Sequence, residues 1–471
     1  MSQESRVIWN VVCIGAGPAG LTAAYELSRS GVAVKVLEAD PVHVGGIART
    51  HQYKGYRFDI GGHRFFSKSA EIEKLWSELL PDGFLERPRS SKILYQNKFF
   101  PYPLKPAVTF FQLGPWETLR SLGSYAKVRL SPHPSPKNFE DWIVNRFGRR
   151  LFEIFFKGYT EKVWGRDCQR ISADWAEQRV QNFSLSQALR DIFFASSGTK
   201  TLIRSFRYPR LGPGMLWEST AEKIRSHGGS IDLGTRVTGL MRTGELWKVS
   251  YDKGGETHTL ECRHVISTMP LRTLCHALSP KPRSTEAAVK LEYRDFIIVA
   301  LMTRSRENFP DQWIYIHDDR VKTCRVQNFK SWSPELVPDR DTNCYGLEYF
   351  CNEGDGFWEM SDEELLSLAR REAALLGLTS ESDVFDGCVV RQKKAYPVYT
   401  HDYTRIVGEI RTELTAEYPG LHLAGRNGMH RYNNQDHAMM TGLLIARNII
   451  GGRALYDPWE VNQDAGYLES N

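Results

Sequence analysis

The sequence predicts an α/β fold in which a Rossmann-like nucleotide-binding domain is interrupted by a helical domain and by an antiparallel β-sheet domain. A short apolar run near the N-terminus meets a glycine-rich turn and a helical repeat of apolar residues. A second apolar run follows and ends at an acidic residue. Later segments change from helical to strand-like periodicity. The expected boundaries are 1–100, 205–285 and 400–471 for the nucleotide-binding domain, 101–204 for the helical domain and 286–399 for the sheet domain.

The composition is typical of a globular protein that does not bind nucleic acid. The chain has 471 residues and a formal net charge of +5, and its basic residues are too dispersed to form the stripe that nucleic-acid binding needs. The eight cysteines contain no C-x-x-C pair and no Cys/His spacing of a zinc site, so no metal is expected. The N-terminus is polar, and no apolar run approaches the roughly 20 residues of a membrane span. We therefore expect a cytoplasmic protein with no membrane partner.

The first strand and helix carry a dinucleotide-binding pattern. An apolar run at 11–14 meets Gly15, Gly17 and Gly20 in the order G-x-G-x-x-G, and apolar residues then recur at helical spacing. Gly15 permits a tight turn, Gly17 lets a pyrophosphate approach the backbone, and Gly20 lets helix and strand pack closely. The next apolar strand ends at Glu38, whose carboxylate can accept hydrogen bonds from a ribose diol.

Further glycines favour FAD over NAD. Gly45 and Gly46 follow the acidic residue, with Arg49 close behind. This second doublet resembles that of the glutathione-reductase-like flavoproteins and the amine oxidases, in which it lets the backbone approach the cofactor a second time. Domains that bind only NAD lack it. The sequence therefore predicts FAD as the cofactor.

Three later segments fit the same fold. The segment 56–67 contains the pair Gly61-Gly62 followed by His63. Residues 228–240, which include Val237, look like a strand pair placed to hold the adenine. Residues 264–271 look like a strand that returns to the nucleotide-binding fold.

The segments between these motifs differ in the periodicity of their apolar residues. From about residue 69 the chain shows helical apolar stripes, whereas 293–352 contains short β-like runs typical of an antiparallel sheet. Ser361 and Glu364 form a capping box ahead of a helix that Gly377 ends. The Pro- and Ser-rich segment 130–138 is expected to be a loop or a flexible flap.

The motifs together resemble the UDP-galactopyranose mutases, especially the larger eukaryotic-type members. The resemblance rests on the glycine pattern, GGHRFFS, KVWG, the order of the insertions and the tail AGRNGMHRYNNQDHAMMTG at 424–442. It implies an isomerase that interconverts pyranose and furanose forms of a nucleotide-diphosphate sugar and acts in furanose biosynthesis. The flavin must be reduced, with NAD(P)H as a candidate reductant, and its N5 attacks the anomeric carbon.

The chemistry of that reaction requires cations and phenol donors around a diphosphate that gains negative charge as it leaves. By the resemblance, Arg179 and Arg325 bind the diphosphate and Tyr396 and Tyr432 donate hydrogen bonds to it. The loop of His63 lies against the isoalloxazine, and its two glycines permit a backbone change when the flavin is reduced.

The polar tail is interpreted as the place where flavin and substrate meet. Gly425 and Arg426 follow a short strand, and the arginine matches the one beside flavin N5 in the family. The amides of Asn434 and Gln435 can reach sugar hydroxyls or ribityl oxygens. The N-terminus of a helix beginning near Asp436 can favour negative charge at the flavin pyrimidine.

Two departures leave the substrate open. The run 100–106, FPYPLKP, lacks the amides that follow a P-Y-P run in eukaryotic-type mutases, and Asn427 replaces an apolar residue. UDP-galactose or a related nucleotide sugar fits the pattern, and a few hydrogen bonds decide between them. The alternative function is an FAD-dependent oxidase or desaturase of the amine-oxidase and protoporphyrinogen-oxidase group, and a flavin-binding scaffold without turnover is the third. The oligomeric state is not indicated.

Overall fold

The computed structural model describes residues 8–173, 205–304 and 309–462. Most of its strands belong to two large sheets. The first sheet is built around the glycine-rich turn, and its strands are β1 (Ile8–Ile14), β2 (Val34–Leu37), β9 (Ser230–Asp232), β10 (Thr235–Thr243), β11 (Leu246–Lys253), β12 (Glu256–Ser267), β13 (Leu278–Ser279) and β19 (Leu421–Leu423).

The order in the first sheet is β13-β10-β11-β12-β1-β2-β9, with β19 paired to β12. The strands from β12 to β9 run parallel, as do β12 and β19, so their carboxyl ends meet at one edge. The segment 264–271 does return to this sheet, because β12 pairs with β1. Residues 228–240 form two strands, but not the expected pair, since β9 pairs with β2 and β10 pairs with β11.

The second sheet contains β6 (Ser91–Tyr95), β7 (Lys98–Pro101), β14 (Tyr293–Thr303), β15 (Trp313–Ile316), β16 (Arg325–Asn328), β17 (Asn343–Cys351) and β18 (Val384–Pro397). Its order is β18-β14-β17-β16-β15-β6-β7. The β-like runs of 293–352 are confirmed, but the sheet is not purely antiparallel because β15 and β6 run parallel. Residues 91–101 precede the helical segment in the chain, yet they pair here rather than in the first sheet.

Two small sheets connect these layers. Strands β3 (Thr50–Tyr53) and β4 (Tyr56–Asp59) form one, and β5 (Phe84–Pro88) and β8 (Ser205–Pro209) form the other. The chain from β4 leads directly into the Gly61-Gly62 loop, so this hairpin sets the position of the loop relative to both large sheets.

The helices surround the sheets and supply the apolar layers between them. In chain order they are α1 (Pro18–Arg29), α2 (Ala70–Leu79), α3 (Pro106–Leu113), α4 (Pro115–Leu130), α5 (Phe139–Phe147), α6 (Arg149–Phe152), α7 (Gly158–Trp164), α8 (Gly214–Ser226), α9 (Leu271–Ala277), α10 (Thr285–Ala288), α11 (Phe329–Trp332), α12 (Asp362–Leu375), α13 (Tyr403–Glu417), α14 (Gly425–Gly428) and α15 (Gln435–Ile450). A wider π-type turn, Glu153–Lys157, joins α6 and α7.

Local sequence signals explain several helix ends. Ser361 and Glu364 form the expected capping box of α12, in which each side chain accepts from the other residue's backbone. The apolar stripe of 138–164 is interrupted at Gly148, which ends α5. Of the expected loop 130–138, Leu130 is instead the last residue of α4, residues 131–137 contain no helix or strand, and Asn138 forms an isolated bridge with Ser172 and caps α5.

Helices α1 and α15 cross at close range beneath the first sheet. A Cβ atom on Gly442 of α15 would lie 2.2 Å from the carbonyl oxygen of Ala19 in α1, so only glycine allows this approach. Both helices bury their inner faces in one apolar cluster with Trp76 of α2 and Trp217 of α8. The contact fixes the C-terminal tail against the glycine-rich turn.

All eight cysteines lie in the described part of the chain and are free thiols, seven of them buried. Within the same residues no group of three or more His, Cys, Asp or Glu side chains is placed to hold a metal ion. None of the described helices is both long enough and apolar enough to cross a bilayer.

Candidate active site

The turn between β1 and α1 presents backbone donors at a helix N-terminus. Gly15 has φ +97°, a left-handed conformation that favours glycine, and its NH donates to Leu37 O at 2.8 Å. A Cβ on Gly20 would lie 2.0 Å from the oxygen of Gly15, which confirms the close helix–strand approach predicted for this position. Gly17 is the N-cap of α1 and has no side chain that could accept from the first amides of the helix, which is the arrangement of an anion-binding helix N-terminus.

Glu38 lies at the carboxyl end of β2, beside this turn. Its Oε2 accepts from Ala16 N at 2.5 Å and its Oε1 from Asp40 N at 2.8 Å. Burial raises the pKa of Glu38, although the two backbone amides oppose the rise. The amide of Thr235 donates to the Glu38 carbonyl at 2.7 Å, which places the start of β10, and therefore the buried Val237, next to the acidic residue.

The glycine doublet packs directly on the first turn. Gly45 N donates to Ala16 O at 2.7 Å, and a Cβ on Gly46 would lie 3.2 Å from the Cα of Gly17. Arg49 ties this loop to the second sheet, because its Nη1 donates to Gly46 O at 2.9 Å and to Gln392 Oε1 at 2.8 Å. Burial lowers the pKa of Arg49.

The Gly61-Gly62 loop reaches from β4 toward the second sheet. Gly61 has φ +89°, and a Cβ there would come within 3.6 Å of the Tyr396 hydroxyl and 3.9 Å of Arg325 Nη2. Gly62 packs against the Trp313 ring. Burial, aided by the charges of Arg426 and Arg325, lowers the pKa of His63 to about 3. The ring is therefore neutral at physiological pH.

Arg325 is held by a buried cross-strand partner. It faces Glu348 across β16 and β17, and its Nε and Nη2 both lie 2.6 Å from Glu348 Oε2. Gln327 donates to the other carboxylate oxygen. Burial raises the pKa of Glu348, and the two donors oppose the rise. Since every contact of this carboxyl group is with a donor, the pair is ionic, and Glu348 and the nearby phenols raise the pKa of Arg325 against its burial.

Tyrosines converge on the same guanidinium from three elements. Tyr159 of α7 contacts Tyr315 of β15 edge to face at 5.5 Å between ring centroids. Tyr396 of β18 stacks on Tyr432 of the tail at 5.7 Å and 12°. Burial raises the pKa of Tyr396 to about 12 and that of Tyr159 well above its ordinary value, so both phenols stay protonated near neutrality.

The tail brings a second guanidinium to this region. Arg426 lies with Cζ 5.0 Å from the ring centroid of Tyr396 and 4.9 Å from that of Tyr432. Its orientation is fixed by two carbonyls, since Nε donates to Asn433 O at 3.0 Å and Nη1 to Ala395 O at 3.2 Å. Asn427 Nδ2 donates to Lys394 O at 2.9 Å, so the residue that departs from the family pattern ties the tail to β18.

The three residues at the start of α15 have different surroundings. Asn434 is exposed and caps the helix together with His437, whose Nδ1 accepts from Asn434 N at 3.3 Å. Gln435 is buried, and its Nε2 donates to Arg64 O at 3.4 Å, which joins the tail to the His63 loop. Asp436 is also buried, in the first turn of the helix.

The predicted residues thus form two neighbouring groups, one at the glycine turns and one around Arg325. The first group is Gly15, Gly17, Gly20, Glu38, Gly45, Gly46, Arg49 and Val237. The second group is Gly61, Gly62, His63, Arg325, Tyr396, Arg426, Tyr432 and Gln435. Gly425, whose NH donates to Thr441 Oγ1 at 3.0 Å, packs on Ala19 of α1 and links the two. Asn434 faces solvent, and Arg179 lies outside the described residues.

Sequence reasoning missed several residues of the second group. Glu348 was a charged residue in the otherwise apolar strand Asn343–Cys351, a signal that points to a buried ionic partner. Tyr159 was read as part of an apolar helical stripe. Arg64, whose Cζ lies 3.7 Å from the Trp313 ring centroid, follows His63 directly and was not singled out. Tyr315 carries no motif of its own, and it lies opposite Arg325 only because β15 pairs antiparallel with β16.

A family model described as flavin containing amine oxidoreductase matches residues 18–450. The chain belongs to this family. The family name makes a flavin the expected cofactor of this amine oxidoreductase homologue, in agreement with the order of its glycine motifs.

Two curated relatives are nucleotide-sugar mutases by name. A probable UDP-galactopyranose mutase of Klebsiella pneumoniae is 26% identical over 174 residues, which cover 35% of this chain and 43% of that protein. A dTDP-fucopyranose mutase of Escherichia coli is 25% identical over 179 residues, which cover 35% of this chain and 44% of that protein. The chain therefore spans less than half the length of these relatives in either alignment.

Solved structures show the same fold over almost the whole chain. A crystal structure of reduced UDP-galactopyranose mutase has a TM-score of 0.83 at 22% identity and covers 96% of this chain and 99% of that one. A putative protoporphyrinogen oxidase from Exiguobacterium sp. has a TM-score of 0.73 at 17% identity, covering 95% and 100%. The predicted fold class and the predicted resemblance to the UDP-galactopyranose mutases are both confirmed.

The residues of this amine oxidoreductase homologue fit a flavin dinucleotide. The N-terminus of α1 has no side-chain cap, and Gly17 and Gly46 lie close together. A Cβ atom on either glycine would narrow the space in which a pyrophosphate could approach the backbone. Among the described residues, His63 Nδ1, Gln435 Oε1 and Asp436 Oδ2 are buried without a hydrogen-bond partner. Buried polar atoms of this kind are rare in folded proteins, and a polar ring system lying between the His63 loop and α15 would satisfy them. These observations support FAD.

Proposed function

We propose that the protein is an FAD-dependent nucleotide-sugar mutase that interconverts pyranose and furanose forms of a nucleotide-diphosphate hexose. The observation that carries the proposal is the Arg325–Glu348 pair beside the Gly61-Gly62 loop, with protonated tyrosines around it. Such a site fits a diphosphate better than a neutral or apolar substrate.

Arg325 binds the diphosphate in this proposal. Glu348 binds the Nε and Nη2 edge of the guanidinium and thereby fixes its orientation. The remaining N–H donors therefore need no reorientation during the reaction. Tyr159, Tyr315 and Tyr396 surround the same group. Charge that develops on the leaving diphosphate is then stabilised by donors that are already in place. Arg179 is proposed as the second diphosphate-binding arginine.

Arg426 is a second guanidinium, next to the stacked tyrosines Tyr396 and Tyr432. Its guanidinium lies over Tyr396 and Tyr432 and is anchored by two carbonyls, so its charge stays near the His63 loop. The hydroxyl of Tyr432 donates a hydrogen bond to the diphosphate, and Gln435 contacts the sugar or the ribityl chain. We place Asn434 at the rim of the site, because it is exposed.

His63 contributes as a neutral ring. With a pKa of about 3 it does not carry a proton to the sugar, so it orients the reacting groups through hydrogen bonds. Gly61 and Gly62 let the backbone of the loop change conformation. Reduced FAD bound beside this loop, with NAD(P)H as the proposed reductant, would supply a nucleophilic N5 toward the anomeric carbon.

The sugar and the nucleotide are open within this class. The curated relatives are named for UDP-galactopyranose and for dTDP-fucopyranose, which differ in both. The replacement of an apolar residue by Asn427, hydrogen-bonded to Lys394, changes the tail beside Arg426. A substrate other than UDP-galactose is consistent with this difference.

The proposal is tested with dithionite-reduced enzyme and a panel of UDP-, GDP- and dTDP-hexopyranoses. Chromatography should show a product of unchanged mass with one of them, and the oxidised enzyme should give none. Tyr396→Phe and Tyr432→Phe each remove one donor hydroxyl and should lower kcat/KM by about 10- to 100-fold. Tyr456→Phe, at an exposed position, is the matched control and should leave the rate unchanged.

Family membership also supports a redox function, an oxidase or desaturase. The same incubations distinguish the two. Oxygen consumption matched by a product lighter by two hydrogens would establish the oxidase and overturn the mutase, because ring interconversion is redox-neutral.

A further inference from the structure

Helix α4 has an apolar face that the described part of the chain leaves exposed. Trp116 is 69% exposed, Leu119 63% and Leu130 88%. In the preceding helix α3, Phe111 is 88% exposed. Single exposed apolar side chains are common on protein surfaces, but a group of this size on two consecutive helices is the mark of an interaction site.

The exposed residues of α4 follow the helical period. At 100° per residue, Trp116, Leu119 and Leu130, with Gly123 and Ala126 between them, fall within about 80° of the helix circumference. All five positions are exposed. The opposite side carries the buried Ser121, so α4 has a second apolar face that points away from the protein. We call the five residues of α4 and Phe111 the α3–α4 face.

Basic residues border this face on both sides. Lys127 and Arg120 lie about 20° and 40° beyond Trp116, and Arg129 lies about 60° beyond Ala126 on the other edge. Lys127 and Arg129 are exposed and, among the described residues, form no ion pair. Arg120 pairs with Glu117 at 2.9 Å.

The surrounding sequence has the same charge bias. The range 98–138 contains six basic residues and one acidic residue, so its net charge of +5 equals that of the entire chain. The single acid, Glu117, already contacts Arg120 and Arg150, at 2.9 and 2.8 Å. The remainder of the sequence is neutral overall, so the net positive charge of the chain falls in the segment that carries the apolar face.

We propose that the α3–α4 face binds the surface of an anionic phospholipid bilayer, with α4 lying in the plane of the interface. An apolar stripe with an exposed tryptophan and flanking Lys and Arg has the composition of an interfacial helix. The lack of a spanning helix among the described residues does not bear on this, because peripheral binding needs only the outer face of α4. The prediction of no membrane partner rests on the polar N-terminus and the absence of a long apolar run, and peripheral binding requires neither a leader nor a span.

Charge argues against a second copy as the occupant. A symmetric dimer through this face brings the same patch of each subunit together, so Lys127 and Arg129 would face basic residues with no free acid nearby. A bilayer containing phosphatidylserine supplies the opposite charge instead. Each basic residue near such a surface strengthens binding by about fivefold at low salt.

The test is co-sedimentation of the full chain with vesicles of phosphatidylcholine alone or with 30 mol% phosphatidylserine, roughly the anionic content of a cytoplasmic leaflet. We expect binding to the anionic vesicles that weakens with added salt. Trp116→Ser/Leu119→Ser should lower it at least tenfold, and Lys127→Glu/Arg129→Glu should lower it by a similar factor.

Matched controls change the same chemistry elsewhere. Val289→Ser removes an exposed apolar side chain outside the α3–α4 face, and Lys281→Glu/Lys290→Glu reverses two exposed charges outside the basic range 98–138. Both should bind as the wild type does. A thermal unfolding curve for each variant verifies that it folds.

Three results would overturn the proposal. The first is no sedimentation of the wild-type protein with anionic vesicles at low salt. The second is self-association, measured by sedimentation velocity, that Trp116→Ser/Leu119→Ser abolishes while vesicle binding is absent, which assigns the face to a second copy. The third is a large fall in Tm for that variant without vesicle binding by the wild type, which assigns the face to packing within the chain.

Discussion

Arg325 and Glu348 show how one ion pair can organise a site. Glu348 is completely buried, Arg325 is half-buried with 14% of its side chain exposed, and the two meet through two contacts of 2.6 Å. A buried pair of this type adds little net stability over an apolar pair, because both charges lose their hydration. Its effect is to give the guanidinium one orientation, which is what an anion site requires.

This predicts strong coupling between the two residues. Glu348→Gln leaves a buried cation without its anion and should lower the free energy of unfolding by about 3–5 kcal/mol, and Arg325→Met should cost a similar amount by leaving the carboxylate unpaired. The double variant should lose much less than the sum. Urea unfolding of all four proteins gives the coupling energy as a double-mutant cycle.

Additive losses in that cycle would mean that each side chain has other partners of equal strength. Lys54→Met and Asp386→Asn provide the matched comparison, since this pair meets at 2.8 Å with the lysine side chain 65% exposed. This exposed pair should show a much smaller coupling energy than Arg325 and Glu348 do.

Among the elements, α15 carries the most information about the site. It begins at Gln435, beside the His63 loop, and it crosses α1, whose N-terminus faces the glycine turns. The position of α15 therefore sets the distance between the two groups of site residues. The crossing depends on Gly442, where a Cβ would lie 2.2 Å from Ala19 O.

Substituting Gly442 by alanine should separate the two helices and weaken flavin binding. We expect a loss of about 1–3 kcal/mol in the free energy of unfolding, typical of overpacking, and a lower flavin content after purification. Visible absorbance of the purified protein and its Tm measure both effects. Gly408→Ala is the control, because Gly408 lies in α13 with open space around it and should gain about 0.4–1 kcal/mol.

Normal flavin content in Gly442→Ala would show that α1 and α15 can shift without disturbing the site. A parallel fall in Gly408→Ala would show instead that any added methyl group on a helix has this effect.

The elements also show how much the sequence can predict. Local patterns predict the Gly15 turn and Glu38, which lie within about 25 positions of each other. They also predict the capping box of α12, whose two residues are even closer in sequence. The pairing of β6 with β15 joins residues more than 200 positions apart, which no local period encodes. Segment 228–240 looks like a strand pair in the sequence, but Gly234 N and Thr235 N donate to Asp40 O and Glu38 O, and the two strands pair with different partners.

The site follows the same rule. Gly61, His63 and the tail were found because they form dense local motifs, and the resemblance supplied Arg325, Tyr396 and Tyr432. Tyr159 reaches Arg325 through the packing of α7 on the second sheet, and Tyr315 lies opposite Arg325 in the antiparallel pairing of β15 with β16, so neither is marked by its sequence neighbourhood. A charged residue inside an apolar strand, as at Glu348, is the one missed signal that sequence analysis could have used.

At the scale of the whole molecule, several histidines are held neutral by the fold. Burial lowers the pKa of His63 and His317 to about 3 and that of His422 and His430 to about 4. The unfolded chain binds protons at these residues below about pH 6.5, whereas the folded protein does not. Each group thus contributes stability that is fully present above pH 6.5 and falls as the pH drops toward the folded pKa.

Buried carboxyl groups act in the opposite direction. Burial raises the pKa of Glu38, Glu348 and Asp59, so the folded state binds protons more readily than the unfolded chain at these positions. Their contributions partly cancel those of the histidines. The pH dependence of the wild type alone is therefore a weak test, and the difference between two variants is the sharper one.

His430 allows that difference to be measured. It is 1% exposed, its Nε2 lies 3.3 Å from Val398 O, and its φ of +47° is tolerated by asparagine better than by most residues. His430→Asn removes the titrating ring and keeps a side chain that can hydrogen-bond in a left-handed backbone. Any loss of packing or of that hydrogen bond is a constant offset, since neither depends on pH.

Between pH 7 and pH 5 the wild type should lose about 2 kcal/mol more free energy of unfolding than His430→Asn, because a shift from 6.5 to about 4 leaves one extra proton bound to the unfolded chain through most of that range. Urea midpoints with constant m-values at several pH values give the two curves. His401→Asn, at an exposed position, should run parallel to the wild type. Parallel curves for His430→Asn and the wild type would mean that His430 takes up its proton over the same pH range in the folded protein as in the unfolded chain. Its burial beside Tyr293 and Val398 would then need a compensating anion.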